Sequence, residues 1–184
     1  MKSPVKVGVI VGSNRRESIN RKLANAIIQL DAPSLAFEHI RIDDLPMYNG
    51  DLEGARPAEV NRFTSEVAAC DALLFVMPEH NRSLPAVLKN AIDWGSKPTD
   101  KNVWRDKTAA ITGTSPGVIG TAVGQQHLRQ ILGILGATVL GGEAYISFKP
   151  DLLDAQGAIA TPATREFLQA YLNRFAALAG KLAA

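Results

Sequence analysis

The residues best suited to chemistry stand together in the segment Gly12-Ser13-Asn14-Arg15-Arg16-Glu17-Ser18-Ile19-Asn20. It combines hydroxyls at Ser13 and Ser18, an amide at Asn20 and guanidinium groups at Arg15 and Arg16. Before it lies a short apolar, β-branched run, Val7–Val11; after it, Leu23, Ala24, Ala26, Ile27 and Leu30 recur at helical spacing. Such a loop delivers its polar groups to a helix start, where the first N–H groups lack intrahelical partners and the dipole favours negative charge. An arginine there can hold two oxygens of one phosphate. The chemistry indicated is anion binding. The same residues also read as a plain strand-to-helix turn with a Ser or Asn cap and solvated arginines. Other phosphate motifs are missing. There is no G-x-x-x-x-G-K-[ST], and only Gly12 follows the first strand, where a dinucleotide fingerprint needs G-x-G-x-x-G.

Two further loops leave apolar runs of the same kind. Met77–Pro85 follows the run Asp71–Val76; Pro78 and Pro85 stiffen it, and amides between them could meet a flat heterocycle. Gly113–Gly120 follows Thr108–Thr112, and its glycines permit close backbone approach to a ligand. Each also reads as a rigid loop or simple turn without a ligand.

The elements that must position these loops follow from patterning. Continuous apolar runs suit strands buried on both faces of a parallel sheet. Phe37–Ile42 alternates and suits a strand nearer the sheet edge. Helices are expected over Glu59–Ala69, from Pro85 through Trp94, over Gln125–Gly136 (with Leu128, Ile131, Leu132 and Leu135 on one face), and over Thr161–Leu178 opened by Pro162. Ala137–Leu140 reads as the last strand, and Trp104 as partly exposed. Strands alternating with helices imply an α/β domain with helices on both faces of the sheet. Ligands on such sheets bind beyond the carboxyl ends of the strands, where all three loops would meet. The chain reads as one domain, 1–184.

Composition narrows the function classes. The 184 residues are 46% hydrophobic and 21% charged, with a net charge of +2. These values are ordinary for a globular protein, and the small, scattered charge gives no case for nucleic acid. No apolar run approaches a membrane span. The N-terminal stretch Met1–Lys6 does not read as a signal peptide, and Cys70 stands alone; a cytoplasmic protein without membrane partners is expected. Cys70 reads as a small core residue, and Asp43-Asp44 as the end of a strand. His39, His80 and His127 share no metal-ligand spacing, and no nucleophile elbow is present. Arg82, Lys97 and Lys101 are candidate cations for a nucleotide phosphate or an anionic acceptor, or else solvated charges.

The motifs Gly12-Ser13-x-Arg15-x-x-Ser18-x-Asn20, Pro78-Glu79-His80-Asn81-x-Ser83-x-Pro85-x-x-Leu88-Lys89-Asn90-Ala91-Ile92-Asp93-Trp94 and Ser115-Pro116-Gly117 closely resemble those of the NAD(P)H-dependent FMN reductases. The likeness is strongest to their soluble quinone and chromate reductase group and spans Lys6 to about Leu140. The resemblance implies a flavodoxin-like, doubly wound, five-stranded parallel sheet of order 2-1-3-4-5. It implies that Ser13, Arg15, Ser18, Ile19 and Asn20 hold the FMN phosphate. Pro78, Glu79, His80 and Asn81 would line the isoalloxazine ring, with Ser115 and Gly117 contacting it from the third loop. NAD(P)H would be the co-substrate, and quinones, free flavin or chromate the acceptors, in a homodimer or homotetramer. The family usually carries tyrosine where this chain has His80. The chemistry resides on the cofactor, so no catalytic side chain is expected. An electron-transfer flavodoxin is the competing reading; slight basicity and the lack of a stacking aromatic in the second loop weigh against it. A flavin-free interaction protein on the same fold is a third.

Overall fold

β1 (Val5–Val11) ends in five consecutive buried residues, as expected for a strand covered on both faces. The chain, seen in a computed structural model that describes residues 3–183, alternates from there between strand and helix. Met1, Lys2 and Ala184 lie outside the described residues, and with them the first two positions of the N-terminal stretch. The succession is α1 (Ile19–Ile27), β2 (Leu35–Ile40), α2 (Ala58–Ala68), β3 (Ala72–Val76), α3 (Ala86–Gly95), β4 (Thr108–Ser115), α4 (Ala122–Ile134), β5 (Thr138–Val139), β6 (Tyr145–Ser147) and α5 (Pro162–Leu182). Every ladder is parallel and the order is β2-β1-β3-β4-β5, the doubly wound arrangement expected. The order turns back at β1. Right-handed crossovers in opposite directions place helices on opposite faces. Accordingly, α1 and α5 pack on one side, with Leu23, Ile27, Leu172 and Phe175 against Val7 and Val9. On the other, α2, α3 and α4 bring Phe63, Leu88 and Leu132 to a second core around Ile10, Phe75 and Ile111.

Several features depart from the sequence reading. β2 runs Leu35–Ile40 rather than Phe37–Ile42, because the register pairs Val5 with Leu35 and Ile10 with Ile40. β4 continues to Ser115, so the third loop starts at Pro116 rather than Gly113. At Gly113 itself an added Cβ would lie 2.0 Å from the Met77 carbonyl oxygen. Trp104 is fully buried, not partly exposed. Its ring packs against Phe63 and Phe75, its Nε1 donates to the Ile92 carbonyl, and it fills the space that a Cβ on Gly95 would need. Trp94 is a core residue as expected, its Nε1 donating to the Pro46 carbonyl at 2.7 Å, and Cys70 is buried.

The fifth strand is divided. β5 pairs only with Thr108 and Ala109, whereas β6 pairs with Gly113–Ser115. Between them the chain leaves the sheet through Gly141-Gly142, Gly142 at a φ of +84°. Ile111 therefore faces a gap. α5 closes it with the Tyr171 hydroxyl, which accepts from the Ile111 N–H at 3.1 Å and donates to the Ile111 carbonyl at 2.9 Å. Burial pushes the Tyr171 pKa up, which keeps the phenol a neutral donor and acceptor.

Tyr171→Phe keeps the ring but leaves both Ile111 main-chain groups unpaired in the core. Unfolding in urea should show a loss of about 1–3 kcal/mol with an unchanged m-value. An unchanged midpoint would show that the gap needs no plug.

Candidate functional site

At the carboxyl ends of β1, β3 and β4, three loops wall one cavity of about 340 Å³. Its lining includes Ser13, Arg15, Ser18, Ile19 and Asn20 from the first loop; Pro78, Glu79 and His80 from the second; and Ser115 and Pro116 from the third. Clefts of about 410 Å³ near Phe167 and about 700 Å³ beside His127 are larger. The 340 Å³ cavity gathers all three strand-end loops at the point where strand order reverses.

The first loop works as a helix start. Ser18 is the buried N-cap of α1, its Oγ accepting from the Arg21 N–H at 3.3 Å, and its own hydroxyl proton stays free to donate. The Ser18 carbonyl takes the Lys22 N–H. That leaves the N–H groups of Ile19 and Asn20 without a partner among the described residues, at the positive end of the helix dipole. Ser13 is half-buried and Arg15 exposed, with no acid in salt-bridge distance among the described residues. Glu17 pairs with Lys22.

Asn20 is placed differently from a simple ligand. Its side chain is buried, with Nδ2 donating to the Thr114 carbonyl at 2.9 Å and Oδ1 accepting from the Thr114 N–H at 2.8 Å. β3 stops opposite Thr112, two residues before Thr114, so the Thr114 main chain has no strand beside it on that edge. The Asn20 amide takes the strand's place and ties the first loop to the third. Only the main-chain N–H of Asn20 is left for a ligand.

The second loop is a hairpin turn. His80 and Ser83 exchange two main-chain hydrogen bonds, 3.0 and 2.9 Å, around Asn81 and Arg82 at φ of 49° and 63°. Two positive φ values define a type I′ turn, easy for Asn and strained for Arg. Glu79 holds that strain. Its carboxylate accepts from Arg82 Nη1 at 3.1 Å and from the Gly124 N–H, near the start of α4, at 3.0 Å. Gly124 is glycine because a Cβ would come within 2.9 Å of the Ser83 carbonyl and of Met77. Asn81 lines the neighbouring cleft rather than this cavity.

At the end of β4, Ser115 Oγ donates to the Gly120 carbonyl at 2.7 Å and accepts from the Gly117 N–H at 3.3 Å. Gly117 thus supports Ser115 from just outside the cavity wall. The sequence reading gave no role to Val87 and Thr114, which also line the cavity; a valine in the first turn of a helix and a buried threonine carry no motif. Lys97 and Lys101 do not line it: α3 runs back from the strand ends and carries both to its far end. His80 and His127, distant in sequence, line one cleft, with His127 Nδ1 3.0 Å from Ser83 Oγ. Among the described residues no group of three or more His, Cys, Asp or Glu could hold a metal, and no helix is long and apolar enough to cross a membrane.

The fold and the site together define a flavodoxin-like α/β protein in which a helix start with unpaired N–H groups borders a cavity walled by three strand-end loops. The family model for NADPH-dependent FMN reductase matches residues 5–151. A 2-hydroxy-1,4-benzoquinone reductase of Burkholderia sp is 41% identical over 174 residues, covering 94% of this chain and 95% of that protein. A quinone reductase of Pseudomonas putida is 45% identical over 172 residues, 92% of each. The flavoenzyme NAD(P)H:(acceptor) oxidoreductase FerB of Paracoccus denitrificans superposes with a TM-score of 0.92 at 39% identity, over 96% of this chain and 98% of that one. The chain belongs to the NADPH-dependent FMN reductase family and is a flavin-dependent NAD(P)H oxidoreductase.

Asn20→Ala removes both partners of the buried Thr114 main chain. Thermal or urea unfolding should show a loss of about 1–3 kcal/mol, and amide hydrogen exchange at Thr114 should quicken. Wild-type protection at Thr114 would overturn the bridging role.

Proposed function

We propose that this chain is a single FMN-binding domain that passes two electrons from NAD(P)H to a quinone, the cofactor phosphate lying on the first loop and its ring between the second and third. The observation that carries this reading is the shared cavity, lined both by a helix start with unpaired donors and by the apolar Pro78, Val87 and Pro116. The residues fit the group. A phosphate carrying about −1.5 to −2 charge meets the Ser13 and Ser18 hydroxyls, the Arg15 guanidinium and the N–H groups of Ile19 and Asn20. Pro78, Glu79 and His80 border the ring from the second loop, with Asn81 shaping the turn. Ser115 meets it from the third loop, braced by Gly117.

Bound FMN supplies the two-electron chemistry. The protein's own residues bind, orient and shape. Ser18 and the α1 dipole neutralise the phosphate. Asn20 sets the spacing between first and third loops, while Glu79 fixes the second loop against α4. The side beside His80, which also lines the cleft of Lys89, His127 and Gln130, would admit the nicotinamide and the acceptor in turn. Quinone as acceptor is supported by the names of the two similar reductases; free flavin and chromate are secondary acceptors of the same side. The protein acts in the cytoplasm as a homodimer or homotetramer. Exposed apolar Val118 and Ile119, at the rim of the third loop, and Ile134 on α4 offer the contact surface.

Purified protein should take up FMN, lose its visible flavin absorbance on anaerobic addition of NADPH or NADH, and recover it on addition of benzoquinone. Failure to bind FMN would refute the site; binding without bleaching would refute the reductase and leave an electron carrier. Arg15→Ala should weaken FMN by about 1.5–3 kcal/mol, the range for charged hydrogen bonds, in a fluorescence titration, and an unchanged Kd would remove Arg15 from the phosphate site. Light scattering on the eluted protein should give two or four times the 19.7 kDa chain mass; a monomer at micromolar concentration would overturn the assembly.

A further inference from the structure

On the outer side of the first loop, away from the flavin cavity, lies a second cleft of about 210 Å³. Its polar rim is Ser13, Arg21, His39, Arg41 and Asp43, over an apolar floor that includes Ile40. We propose that this cleft binds a phosphate monoester dianion, with the adenosine 2′-phosphate of NADPH as the nucleotide it would take. The nucleotide form of the proposal rests on the reductase reading; the phosphate chemistry does not.

Charge carries the argument. Arg21 makes only a long 3.4 Å contact from Nη2 to the Ser13 carbonyl, and it has no acid in salt-bridge distance among the described residues. Arg41 pairs with Asp43 through Nε at 2.7 Å and with Asp44 at 3.7 Å, and Asp44 is itself shared with Arg62 at 2.9 Å. A guanidinium has five N–H donors, so Arg41 keeps donors for a ligand. Within the rim, two arginines face one carboxylate. Desolvation by its neighbours and the nearby Arg21 charge both hold the His39 pKa below its ordinary value. An anion in the cleft would offset the Arg21 field and favour the protonated ring. The cleft then presents two net positive charges to a ligand carrying nearly two negative ones.

Position agrees with charge. Arg21 comes from the first turns of α1, His39 from the end of β2, and Arg41 and Asp43 from the segment just beyond. The start of α1 and the segment beyond β2 thus bring both arginines to one rim. Ser13 borders both cavities, so a ligand here would sit directly behind the flavin phosphate loop.

The test uses FMN-loaded protein, so that the inner phosphate site is filled. Inorganic phosphate, adenosine 2′-monophosphate and adenosine 5′-monophosphate are titrated separately, by calorimetry and by the NMR signals of the His39 ring. Saturable binding is expected to move the His39 signals and raise the pH at which the ring titrates. Arg21→Gln and, independently, Arg41→Gln should each weaken binding tenfold or more, with FMN uptake and circular dichroism reporting that the variants fold. Tighter binding of the 2′- than the 5′-monophosphate would identify the nucleotide as the ligand. Equal binding of inorganic phosphate would identify free phosphate. Unmoved His39 signals, or binding insensitive to both arginine substitutions, would overturn the proposal. Loss of FMN binding by wild-type protein would count against the flavin site, and phosphate titration of that protein scored at His39 would still decide the cleft.

Discussion

Strand β4 must satisfy its own backbone, and the site depends on how it does so. A buried N–H or carbonyl without a partner costs more than a typical hydrogen bond contributes. β4 is longer than its neighbours on both sides. On one edge β3 stops opposite Thr112, leaving Thr114 unpaired. On the other the fifth strand breaks opposite Ile111. Two side chains from helices on the same face fill these gaps, Asn20 from α1 and Tyr171 from α5. Each imitates a missing strand by offering one donor and one acceptor.

The consequences differ because the gaps lie at different depths. The Ile111 gap is in the middle of the sheet, and its plug supports the core alone. The Thr114 gap lies at the strand's carboxyl end. The residue that fills it belongs to the loop carrying Ser13, Arg15 and Ser18. A backbone requirement of β4 thereby sets where the first loop sits relative to Ser115. The second loop is placed by a separate device, the Glu79 carboxylate on the Gly124 N–H. That bond is charge-assisted and lies near a helix start, where a carboxylate is favoured. The first loop is therefore tied to β4 and the second to α4 by hydrogen bonds between elements.

Such anchoring suits a protein whose reaction belongs to its cofactor. The side chains need not be nucleophiles; they must present donors and flat walls at fixed separation. The two committed side chains, Asn20 and Glu79, serve position. Ser13, Arg15, Ser18 and the first N–H groups of α1 remain free for charge. His80 stands on a rigid turn and lines both the 340 Å³ cavity and the wider cleft.

Much of this was legible in the sequence. Apolar runs at Val7–Val11, Asp71–Val76 and Thr108–Thr112 each mark a strand buried on both faces, and helical spacing marks the segments between them. Both patterns are local, and burial enforces them. The motif residues Ser13, Arg15, Ser18, Pro78, His80 and Ser115 line one cavity because parallel strands place their carboxyl ends on one edge of the sheet. What only the tertiary structure decided depends on register between distant segments. The division of the fifth strand, the end of β4 at Ser115 and the burial of Trp104 follow from which residues stand opposite one another. So does the commitment of the Asn20 amide to Thr114, 94 positions away. The meeting of Arg21 with His39 and Arg41 follows from the crossover that brings β2 beside β1. No spacing along the chain encodes these encounters, since each exists only once the sheet has set its neighbours.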